Sequence, residues 1–158
     1  MKNNIGITDE NKQKVVIELS KILADEFVLF TKTKNAHWNL EGIGFHGLHL
    51  FFEAQFMQLD EMIDSIAERI RSLDHYSPGS LKNFLELTRL SEHSRTSNSG
   101  VDYIANILED HRSIIMTLRE NIDVFASEYK DYGSSDFLTG LISTHEKMTW
   151  KLSSHLAR

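Results

Sequence analysis

Apolar residues recur three and four positions apart through most of this chain, the spacing that gathers them on one side of an α-helix. Val15, Leu19, Ile22, Leu23, Phe27 and Phe30 predict a first helix from about Thr8 to Thr33, with Thr8-Asp9-Glu10 as its capping start. Leu48, Phe52, Phe56, Leu59, Ile63, Ile66 and Ile70 predict a second from about Phe45 to Leu73, which ends ahead of Pro78. A third opens at Ser99, with Asp102 three residues on, and carries Ile104, Ile107, Leu108, Ile114, Ile115, Leu118, Ile122 and Phe125. Gly133-Ser134-Ser135-Asp136 reads as a stop and restart, after which Phe137, Leu138, Leu141, Ile142, Met148 and Leu152 mark a fourth helix.

The stretch from Ser72 to Gly100 is rich in Ser and Thr, with a short apolar run from Leu81 to Leu90 that suits a small helix. It reads as a crossover, not a domain boundary, so residues 1–158 are expected to form one domain with one core. Four long helices with a long connection between the second and third predict an all-α, ferritin-like four-helix bundle in place of the simple up-and-down kind.

Composition narrows the chemistry. There is no cysteine, which excludes disulfides, thiolate zinc sites, iron–sulfur clusters and cysteine nucleophiles, so any metal must be held by His and carboxylates. The first residues, MKNNIGITDENKQK, hold no apolar stretch like a signal-peptide core, and no segment is long enough to span a bilayer. A cytoplasmic location and no membrane partner are the expectation. The formal charge of −6 argues against a surface coated in base for nucleic acid. Lys2, Lys12 and Lys14, interrupted by Asp9 and Glu10, make the N-terminal arm a weak DNA anchor at best.

The second helix carries a polar stripe. His49 and Glu53 are four apart, Asp64 follows eleven later and Glu68 four after that, so His49, Glu53, Asp60 and Asp64 share one face with Glu68 beside it. Fifteen residues separate His49 from Asp64, about 22 Å along a helix axis, whereas metal–ligand bonds are about 2 Å. One subunit therefore cannot close both ends of the stripe on one ion. Two antiparallel copies about a two-fold axis would set His49 and Glu53 of one against Asp64 and Glu68 of the other, with His37, on the segment leading into this helix, completing the imidazole half. No Glu-x-x-His or His-x-x-x-His motif is present. Imidazole and carboxylate ligands suit Fe(II), with Zn, Mn or Co as competitors. Spacing alone also fits a solvated acidic face, the commoner origin of such a pattern.

The run His37-Trp38-Asn39-Leu40, then Gly42, Phe45, Leu48-His49, Phe52-Glu53 and Asp64-Ser65-Ile66-Ala67-Glu68-Arg69, closely resembles the signature of the Dps family of mini-ferritins. Gly133 to Leu138, His145-Glu146-Lys147 and Trp150 look like that family's last helix, so the resemblance covers nearly the whole chain. It implies a hollow dodecamer that oxidises Fe(II) with hydrogen peroxide or dioxygen, stores ferric mineral and limits oxidative damage. It also implies a site in which His37 and His49 come from one subunit and Asp64 and Glu68 from its two-fold partner. Glu53 falls where the family often has Asp. Trp38 would serve as an electron or radical relay or simply pack. Asp131 and Asp136 match the region that lines three-fold pores, and Asp136 equally suits an N-cap. The rival reading from the same resemblance is a nucleoid protein that compacts DNA. His46 suits a solvated helix start and His111 a packed histidine, while His75, His93, His145 and His155 carry no assignment.

Overall fold

The computed structural model describes residues 4–93 and 97–156. Lys2, part of the basic arm, lies outside them. The described residues form helix α1 (Asp9–Asn39), α2 (Phe45–Ser72), a short α3 (Leu81–Leu87), α4 (Gly100–Asp123), a π-helical turn (Val124–Glu128) and α5 (Tyr132–Ser154). None of these helices is long and apolar enough to cross a membrane.

Caps set the starts as the sequence predicts. Thr8 accepts a hydrogen bond from the Asn11 amide at the head of α1, and Ser99 accepts one from Asp102 at the head of α4. The apolar stripes then close on one core, in which Leu19, Leu29, Phe52, Leu59, Ile66, Leu118, Phe125, Leu138 and Leu152 have no solvent exposure.

α1 and α2 run antiparallel, as the pairing of Lys12 with Asp74 near one end and of His37 with His49 near the other requires. α4 and α5 form the second antiparallel pair, tied by Ser135 Oγ to the Ile122 carbonyl and by Arg119 to Glu146. The crossover lets α2 and α4 run parallel. It is pinned to α1 by Phe84 stacked on Phe27 at 4.4 Å and by buried Asp25, which receives bonds from Thr88 and from the backbone and side chain of Arg89. At its far end the Glu41 amide bonds the Asn98 carbonyl. A Cβ on Gly100 would overlap the Leu48 side chain, so the head of α4 sits as close to α2 as glycine permits.

Two boundaries differ from those predicted. α1 continues past Thr33 to Asn39, so His37 and Trp38 stand on its last turn and not on a connecting segment. The break comes instead at Leu40 and at Gly42 and Gly44, whose φ of 97° and 81° glycine alone adopts cheaply. At the other end, Gly133-Ser134-Ser135 does not stop the chain but lies within the first turn of α5. Asp131 caps that turn by accepting from the Ser134 amide at 2.9 Å, a role the sequence offered to Asp136.

Candidate metal centre

Because α1 and α2 are antiparallel, the last turn of one lies beside the first turns of the other. There the His37 and His49 rings stack, with centroids 3.7 Å apart and 20° between planes. Each Nδ1 is 2.8 Å from the backbone carbonyl oxygen of the other residue. A carbonyl only accepts, so both Nδ1 atoms carry the proton and donate it. In the neutral form that tautomer leaves the lone pair on Nε2, the atom a metal would take. The His37 carbonyl is available because it belongs to the final turn of α1, where carbonyls lack a helical partner. Phe45 stacks on His49 and Phe56 meets His37 edge-on, each with centroids 5.3 Å away, which restricts both rings further.

Glu53 lies one turn along α2 from His49 and is half-buried, as both imidazoles are. Asp64 and Glu68 are exposed farther down the same helix. α2 is helical from Phe45 to Ser72, so the axial separation of about 22 Å between His49 and Asp64 persists in the folded subunit. Among the described residues no three His, Asp or Glu side chains gather as a metal cluster. The subunit presents an imidazole end, with Glu53 beside it, and a carboxylate end, and it does not bring them together.

Trp38 is 65% exposed beside His37, with the Lys34 ammonium 5.9 Å from its ring. It is not core packing within the subunit. Asp131 and Asp136 separate sharply. Asp131 is buried, with the Arg69 guanidinium 3.1 Å from its carboxylate and Arg69 also donating to Ser134 Oγ. Its carboxylate is engaged inside the subunit by Arg69 and Ser134. Asp136 is exposed and borders a shallow depression between α2 and α5 with Gln58, Glu61, Ser65 and Thr144. His46 is exposed and His111 fully buried, matching the readings made for them. His145, which the sequence left without a role, is also fully buried.

Two antiparallel helix pairs, a long crossover that turns α2 and α4 parallel, and a stripe of His and carboxylates on α2 define a ferritin-like bundle protein. A family model described as the ferritin-like domain matches residues 17–158. A low temperature-induced protein of Nostoc sp., itself uncharacterized, is 42% identical over 97% of this chain and 86% of its own length. The DNA protection during starvation protein of Helicobacter pylori is 32% identical over 88% of this chain and 96% of its own. Among solved structures, a Dps protein from Vibrio cholerae O1, titled a member of a broad superfamily of ferritin-like diiron-carboxylate proteins, superposes with a TM-score of 0.91 at 29% identity, covering 99% and 98% of the two chains. Dps from Thermosynechococcus elongatus follows at 0.87 and 30%, covering 94% of each chain. The chain belongs to the Dps family of ferritin-like proteins.

Proposed function

We propose that this protein is a ferroxidase of the cytoplasm that oxidises Fe(II) and stores the ferric product inside a hollow homo-oligomer, a dodecamer. Each site takes His37, His49 and Glu53 from one protomer and Asp64 and Glu68 from its two-fold partner. The observation that carries this reading is the reciprocal bonding of His37 and His49. Two imidazoles whose Nδ1 atoms are both taken by backbone carbonyls keep Nε2 as the nitrogen for a metal, an arrangement that packing alone does not require.

The division of labour follows from ligand chemistry. Neutral imidazole nitrogens hold Fe(II), and anionic carboxylates favour the harder, more highly charged Fe(III), so the pairing of both ends of the stripe lowers the barrier to losing an electron. With peroxide as acceptor, two ferrous ions give up one electron each, the O–O bond breaks and two hydroxides form. Hydrolysis of the ferric ions to mineral then releases protons. Asp136, exposed at the head of α5, supplies negative charge along the route by which cations enter.

The test is the rate at which the assembled protein oxidises Fe(II) after addition of peroxide, and separately in air. Oxidation well above the rate in buffer is expected, with growth of a ferric core visible by electron microscopy. Oxidation no faster than in buffer would sink the proposal.

A further inference from the structure

α1, α4 and α5 meet at three side chains without solvent exposure, Glu26, His111 and His145. Glu26 Oε1 is 2.6 Å from His145 Nε2, and His145 Nδ1 is 2.7 Å from His111 Nδ1. The outer atoms, Glu26 Oε2 and His111 Nε2, are buried without a hydrogen-bond partner among the described residues. Glu26 and His111 bind opposite nitrogens of the His145 ring, so the three groups cannot converge on one metal ion. They form a line for protons.

Charge decides how many protons the line holds. An ionised Glu26 with two neutral rings leaves one buried negative charge, and full protonation of both rings leaves one positive; each net charge is penalised where water is excluded. The state with one proton more than the first is neutral overall, whether that proton sits on Glu26 or on His145, and in both cases His145 Nδ1 donates to His111. Each packed element carries charges nearby, and burial pushes the Asp110 carboxyl, beside His111, above its ordinary range. On α1, Asp25 pairs with Arg89 at 2.7 Å, and Lys32 pairs with Asp110 of α4. On α5, Glu146 pairs with Arg119. On α2, Asp60, Glu61, Asp64 and Glu68 are exposed, and the buried polar residue is the uncharged Gln55.

We propose that Glu26, His145 and His111 form an acid-sensitive latch that ties α1 to α4 and α5, closed while it holds one proton and opened when a second reaches His111. Burial first, and the neighbouring His145 second, hold the His111 imidazole well below its ordinary range. Its folded value therefore lies under its unfolded one, and the unfolded chain binds more protons in between. Stability from this source is complete above about pH 6.5 and is lost as pH falls below that, toward the folded value.

Chemical unfolding of the assembled protein, followed by circular dichroism between about pH 7.5 and pH 5, tests the latch. Below the ordinary imidazole range the unfolding constant of the wild type is expected to rise up to about tenfold more per pH unit than that of His111→Gln or His111→Phe. Equal pH slopes would overturn the proposal. Should neither variant assemble, nitrogen NMR of histidine-labelled wild-type protein decides between the outcomes. Of eight histidines, the buried His111 and His145 should keep their protonation states from about pH 8 to pH 6. A spectrum without that non-titrating pair overturns the latch.

Discussion

The Nδ1 of His37 donates to the carbonyl of His49, and the Nδ1 of His49 donates to the carbonyl of His37, both at 2.8 Å. The same two bonds join α1 to α2 and leave the Nε2 of each ring out of that contact, so on the proposed reading they serve structure and ligation together. Replacing either ring should therefore have two separable effects. His49→Ala is expected to slow Fe(II) oxidation by at least about tenfold and to cost about 1 kcal/mol, one half-buried hydrogen bond, in denaturant unfolding. A variant that lost stability but oxidised Fe(II) at the wild-type rate would remove His49 from the site.

Sharing of sites between subunits makes a quantitative prediction for mixed assemblies. His49→Ala lacks the imidazole half and Asp64→Asn the carboxylate half, and each alone should be inactive. In a mixed two-fold pair, one site collects both defects and the other collects neither. Random co-assembly should restore about a quarter of wild-type sites, read as initial oxidation rate per protomer. Complete inactivity in properly assembled mixtures would refute the shared site.

Asp131 and Asp136 should part company under mutation. Asp131→Ala removes a helix cap and the buried partner of Arg69, and a loss of about 2 kcal/mol is expected in the unfolding free energy. Asp136→Asn, at an exposed position, should leave the unfolding free energy within about 0.5 kcal/mol while slowing iron uptake at low ionic strength. The reverse pattern would return the pore role to Asp131.

DNA retention offers a check on the rival reading. With a formal charge of −6 per chain, the assembly is expected to hold duplex DNA weakly and to release it steeply as salt rises. A gel-shift series at increasing salt measures both. Tight binding that persisted near 0.2 M salt would make DNA compaction a leading activity.

The helices themselves were legible because burial repeats every three or four residues and leaves that rhythm in the sequence. Their ends were less so. Lys34-Asn35-Ala36-His37-Trp38-Asn39 lacks the apolar rhythm, since this turn presents a polar site, yet nothing in it breaks a helix and α1 runs on to Asn39. Gly133-Ser134-Ser135 has the composition of a loop, but Arg69 reaches across from α2 to Ser134 and Asp131 and holds those residues in the first turn of α5.

The stripe His49, Glu53, Asp64 and Glu68 was readable for the same reason as the core, because ligands on one helix face obey a short period. The line Glu26, His145 and His111 was not. Glu26 and His145 lie 119 residues apart, and no local spacing marks either as paired. Sequence by itself determined the helices, the polar face of α2 and the impossibility of closing that face on one ion within a subunit, because each depends on the fixed rise and period of a helix. Only the tertiary structure decided which nitrogen of His37 and His49 bonds the neighbouring helix, that Asp131 turns inward, and that a carboxylate and two imidazoles meet in the core, because each depends on how helices pack across the bundle.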